Sequence, residues 1–224
     1  MSPFVLKQAG MPRTKVQVAL DMTCMSEALL LAQSMREGGA DLIEAGTPLI
    51  KAHGMEAVKR MVEIWKGKPV VADMKTIDAG QVESELACRA GAKIVTVSGW
   101  ANDITIREAV RTAESYGALV MVDLINVENA VERALEVESV GAHYVCLHTG
   151  LDAQAEKRTI ADSLDLIRAL SSKLKIPLAA AGGITAGNAK KVSEAGASTV
   201  VVGSFITKAP DPKVALELVL KALS

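Results

Sequence analysis

The chain has 224 residues, half of them hydrophobic, with 25 Lys and Arg against 26 Asp and Glu and an aromatic content of 3%. That near-neutral, aromatic-poor balance excludes a basic nucleic-acid surface or a base-stacking platform, and no apolar stretch approaches the roughly 20 residues of a membrane span. The expectation is a cytoplasmic globular protein that handles a small ligand, with no nucleic-acid or membrane partner.

Residues 1–13, interrupted by Lys7 and two prolines, read as a short N-terminal extension. Apolar runs of strand length then follow at 16–20, 41–45, 69–72, 93–97, 118–122, 144–147, 177–181 and 199–202, with helical patterns between them. The runs are nearly continuous rather than alternating, as expected for strands covered on both faces of a parallel sheet. A weak repeat supports this count. Gly39-Ala40, Gly91-Ala92, Gly141-Ala142 and Gly196-Ala197 each precede a strand candidate, and each glycine can end the helix before it in a left-handed conformation. Eight βα units without a linker predict a single-domain α/β fold, a (β/α)8 TIM barrel over residues 14–224. Cys24, Cys88 and Cys146 form an odd set without C-x-x-C spacing and read chiefly as buried thiols.

A barrel should gather its functional groups at the carboxyl ends of its strands. Asp21, Glu44, Asp73 with Lys75, Ser98, Asp123 and His148 fall at the ends of the first six strand candidates. In an extended segment the Asp73 and Lys75 side chains point the same way, and Asp78 follows near the start of a helix. Taken alone, Asp73-x-Lys75-x-x-Asp78 is equally a solvated ion pair of little energetic value. Glu44 and Asp73 offer two hard oxygen ligands that suit magnesium better than zinc; the structural alternative is that Glu44 only neutralises Lys75. His148, before Thr149-Gly150, is placed at the rim for proton transfer, whereas His53 and His143 read as structural. Asp123 binds substrate or caps the next helix. Gly182, Gly183, Gly203 and Ser204 end the last two strands, where backbone amides can approach a phosphate.

These residues resemble the orotidine monophosphate decarboxylase suprafamily, whose D-x-K-x-x-D hallmark is Asp73, Lys75 and Asp78 here. The resemblance runs from Lys15 over nearly the whole chain. Within the suprafamily the closest likeness is to the 3-hexulose-6-phosphate synthases, carried by Glu44-Ala45-Gly46-Thr47-Pro48, Asp73-Met74-Lys75-Thr76-Ile77-Asp78-Ala79-Gly80 and Asp123-Leu124-Ile125. The 3-keto-L-gulonate-6-phosphate decarboxylases share the first two segments but typically carry H-R-S-x-D-A after the sixth strand, where this chain has His148-Thr149-Gly150-Leu151-Asp152-Ala153-Gln154.

The resemblance implies a lyase: a magnesium-dependent, reversible aldol condensation of D-ribulose 5-phosphate with formaldehyde to D-arabino-hex-3-ulose 6-phosphate through a 1,2-enediolate. It further implies Glu44 and Asp73 as metal ligands, Lys75 beside the enediolate charge, His148 as proton shuttle and Asp21 on substrate hydroxyls. Asp78 would reach the neighbouring site of a homodimer. One departure is Ser204, where some suprafamily members place an arginine on the phosphate. The alternatives are the keto-gulonate decarboxylation and a non-catalytic barrel that binds a phosphorylated metabolite.

Overall fold

The computed structural model describes residues 13–224. Of the extension read at 1–13, only Arg13 lies within them, and its guanidinium forks onto Asp41 at 2.7 and 3.0 Å. Eight parallel strands close on themselves in sequence order: β1 (Lys15–Leu20), β2 (Leu42–Ala45), β3 (Val70–Thr76), β4 (Ile94–Ser98), β5 (Leu119–Asp123), β6 (Tyr144–His148), β7 (Leu178–Ala181) and β8 (Thr199–Val202). Helices follow the strands, so the expected TIM barrel is the observed fold. The four glycines of the repeat, Gly39, Gly91, Gly141 and Gly196, have φ of 92°, 98°, 112° and 114°, a region that a side chain disfavours and that turns the chain from helix toward strand.

Each strand serves two cores. One face, with Val16, Val18, Ile43, Val95, Val120, Val145 and Val200, packs against the helices. The other faces the barrel axis, where Ala19, Leu42, Val71, Ile94, Met121, Cys146, Ala179 and Val201 fill the interior. The strands read as continuous apolar runs because both faces are buried. Near β7 and β8 the inward residues Ala179, Ala181 and Val201 are small, which leaves room above them. Cys88 and Cys146 are buried as expected, while Cys24 is exposed. Among the described residues no helix is long and apolar enough to cross a membrane.

At the amino-terminal end of the barrel, the His143 ring is buried, its Nδ1 accepting from the Val120 N–H at 3.1 Å and its Nε2 lying 3.4 Å from Glu114. Burial pushes its pKa below the ordinary 6.5 more strongly than Glu114 raises it. The unfolded chain therefore binds the proton first on acidification. The stability from the neutral ring is complete above 6.5 and is lost as pH falls through the lower folded value. The urea midpoint is expected to fall more between about pH 7.5 and about 5.5 in the parent than in a His143→Gln variant. Equal falls would show that His143 carries no such linkage.

Candidate active site

The end of β3 is bent rather than extended. Its register against β4 shifts between Ala72 and Thr76, and Lys75 has a left-handed φ of 46°. For a residue with a side chain that conformation costs roughly 1–3 kcal/mol. Thr96 on β4 helps hold it, accepting from the Lys75 N–H at 2.9 Å while its own hydroxyl donates to Asp73 Oδ1 at 2.8 Å. Asp73 and Lys75 do face one space, as alternation predicts, since both line the cavity while Ala72 and Met74 pack toward the helices, although the backbone at Lys75 is not extended.

Asp73 is 4% exposed, so the cluster is no solvated surface pair. Its carboxylate accepts from Lys75 Nζ at 2.7 and 2.9 Å and from Thr47 Oγ1 at 2.8 Å. Lys75 Nζ also lies 3.0 Å from Asp123, so its partners are Asp73 and Asp123 rather than Glu44. Burial opposes the ammonium charge, yet these two carboxylates hold the Lys75 pKa well above its ordinary value. Lys75 is thus a fixed cation.

Asp123 receives the Ile125 N–H on Oδ1 at 2.9 Å and His148 Nδ1 on Oδ2 at 2.9 Å. The next helix begins only at Ala130, so the helix-capping alternative for Asp123 falls. Burial would raise its carboxyl, but the His148 hydrogen bond and Lys75 together lower it to about 2. An ionised Asp123 fixes the His148 tautomer: Nδ1–H donates, and Nε2 is left as the basic nitrogen.

Asp21, Glu44 and Asp73 bring three carboxylates to one side of the mouth. Burial and then repulsion from Asp73 and Asp21 push the Glu44 carboxyl well above its ordinary value. Asp21 is pushed up as well, by the surrounding walls and by Asp73, although its surface stays open to solvent at the rim. Gly46 lets Asp21 settle here, since a Cβ would stand 2.2 Å from its Oδ1.

Next to β1 on its other side lie the ends of β8 and then β7. Gly182 has φ of 107°, and a Cβ on it would stand 2.1 Å from the Thr149 carbonyl oxygen. Gly183, Gly203 and Ser204 line the same cavity of about 370 Å³ as Asp21, Glu44, Asp73, Lys75, Asp123 and His148. That volume suits a small metabolite. Asp78 is exposed and stands apart from the cavity, before the helix Gly80–Arg89. Ser98 is also outside its lining, because its Oγ accepts from the Trp100 N–H at 3.2 Å and so serves its own turn. Gln17, Thr47 and Thr96, which sequence reasoning did not single out, line the cavity. Gln17 and Thr96 carried a signal: each is a lone polar residue at an inward position between valines.

Comparison with known proteins decides the family. The model of the orotidine 5′-phosphate decarboxylase / HUMPS family matches residues 14–219. The chain belongs to that family. It is 40% identical over 210 residues to the 3-hexulose-6-phosphate synthase of Mycobacterium gastri, across 94% of this chain and 100% of that protein. The crystal structure of 3-hexulose-6-phosphate synthase from Salmonella typhimurium superposes with a TM-score of 0.88 at 36% identity, covering 93% of this chain and 98% of that one. The 3-keto-L-gulonate-6-phosphate decarboxylase of Vibrio cholerae gives 0.84 at 27% identity, with 95% and 98% covered. The likeness to the synthases read from the sequence therefore holds.

The magnesium that the family resemblance implies meets a fitting donor set. Glu44 and Asp73 are hard oxygen donors, crowded by Asp21 and short of positive charge, since Lys75 is already shared between Asp73 and Asp123. Among the described residues no three His, Cys, Asp or Glu side chains form a closed metal group. Magnesium tolerates this, because it commonly takes one or two carboxylates and keeps its other positions for water and substrate oxygens.

Proposed function

We propose that this protein catalyses the reversible aldol condensation of D-ribulose 5-phosphate with formaldehyde, giving D-arabino-hex-3-ulose 6-phosphate. The observation that carries this reading is the Lys75–Asp123–His148 chain, which sets a fixed cation and an oriented base on one cavity beside a pair of carboxylates. The synthase names of relatives up to 40% identical support the choice of reaction.

In this reading His148 Nε2 takes a proton from C1 of the pentulose phosphate, and Asp123 stabilises the imidazolium that forms. Lys75, already protonated, cannot be that base and instead faces the negative charge of the enediolate. Carbon C1 then bonds to the formaldehyde carbon as the carbonyl π bond opens, and the new alkoxide takes the proton held on His148, which restores the neutral imidazole. Bound by Glu44 and Asp73, magnesium would supply further positive charge for the substrate oxygens. Asp21 accepts from substrate hydroxyls. Gly182, Gly183, Gly203 and Ser204 hold the phosphate by backbone amides and one hydroxyl, in place of an arginine.

The working form is a homodimer in the cytoplasm, with Asp78 completing the neighbouring site. In support, Ile77, Val82 and Leu86 expose 60%, 57% and 48% of their surfaces beside Asp78, with Ile104 57% exposed on the adjoining helix Asp103–Ser115. Val82 and Leu86 share one helix face, and apolar surface of this kind marks an association site.

The test is to supply magnesium, ribulose 5-phosphate and formaldehyde in one reaction and 3-keto-L-gulonate 6-phosphate in another. Formaldehyde consumption that depends on ribulose 5-phosphate is expected, and exhaustive chelation or Glu44→Gln should abolish it. Carbon dioxide release from the keto-gulonate far exceeding aldol turnover would replace this reading with the decarboxylase. Activity that survives chelation would remove magnesium from it.

A further inference from the structure

Gln17 is the polar exception within its surroundings. It is 1% exposed, points to the barrel axis from β1, and lies in register beside Leu42 and Val201. Its Nε2 donates to Glu44 Oε2. Its Oε1 is buried and has no hydrogen-bond partner among the described residues. A buried amide left half-satisfied costs stability, and an apolar residue of similar volume would fill this place without that cost.

The return on Gln17 is its single bond. Asp73 is held by Thr47, Thr96 and Lys75, and Asp123 by the Ile125 amide, Lys75 and His148. Among the described residues, Gln17 is the only hydrogen-bond partner of the Glu44 carboxylate. The orientation of Asp73 is therefore fixed several times over, and that of Glu44 only once. We infer that Gln17 is a positioning residue of the cation site, holding the Glu44 carboxylate in the orientation in which it and Asp73 bind one divalent ion.

This inference rests on the magnesium reading of the site, and manganese(II) binding read by electron paramagnetic resonance tests the two separately. Gln17→Met removes the orphaned Oε1 but also the partner of Glu44, so its melting temperature is expected to stay near the parent's while manganese binding weakens by about tenfold or more. Its turnover should recover to near the parent value at saturating metal. In a Glu44→Gln background, Gln17→Met should produce no further loss of metal affinity. Gln17→Asn, whose amide is too short to reach Glu44, should weaken binding similarly and serves if the methionine variant does not fold. If the parent binds manganese and both variants match it within about twofold, well short of the loss typical of a ligand-orienting partner, Gln17 is a core residue and the inference fails alone. A parent that does not bind manganese overturns the metal reading and this inference together.

Discussion

Lys75→Met is expected to lower turnover at saturating substrate by about 10²- to 10³-fold, the loss typical of removing one preorganised group that faces developing negative charge. Lys75 is the cation between Asp73 and Asp123, with Nζ–carboxylate distances of 2.7 and 3.0 Å. The substitution also leaves Asp73 and Asp123, 4% and 3% exposed, without their counter-charge. Removing one partner of a buried ion pair destabilises by about 3–5 kcal/mol. The Lys75 side chain keeps 26% of its surface, so the lower end of that range, about 3 kcal/mol, is expected in urea unfolding. A second substitution separates the two effects. Asp73→Asn added to Lys75→Met should restore part of the stability, because one unpaired charge is gone, and none of the turnover. Full turnover by Lys75→Met would instead show that Lys75 does not face the reacting charge, and a parent that binds the sugar phosphate without turning it over would describe a non-catalytic barrel.

The barrel was legible because parallel strands buried on both faces leave continuous apolar runs. The carboxyl ends of those strands were less legible. Ser98, Asp123 and His148 are the last ladder residues of β4, β5 and β6, yet their polarity placed the sequence boundaries one residue earlier. At β3 the difference is larger, since the strand continues through Asp73 and Lys75 to Thr76. No glycine marks the left-handed turn at Lys75. It depends on Thr96 and on the charges that Lys75 meets, contacts that form only when β3, β4 and β5 are side by side. Glu44, Asp73, Lys75, Asp123 and His148 were found because each is a charged or titratable residue at the end of an apolar run. Thr47, Thr96 and Gln17 act through their neighbours, and only inward parity among apolar residues distinguished the last two. Motif membership also did not locate Asp78, which shares a six-residue pattern with Asp73 but not its cavity.

That separation sets the strongest test of the shared-site dimer. If each site takes Lys75 from its own chain and Asp78 from its partner, Lys75→Met and Asp78→Asn homodimers should both be severely impaired. A heterodimer with one subunit of each kind, isolated through two different affinity tags, would combine both lesions in one site. Its other site would have an intact Lys75 and an intact Asp78. The heterodimer should therefore regain about half of the parent's turnover per dimer, as the two-fold symmetry of the assembly requires. If Asp78 instead served its own chain, both heterodimer sites would carry a lesion and no activity would return. The exposed Ile77, Val82 and Leu86 supply a control: Leu86→Glu should split the dimer and, under the shared-site arrangement, impair turnover even though no residue of the described cavity has changed.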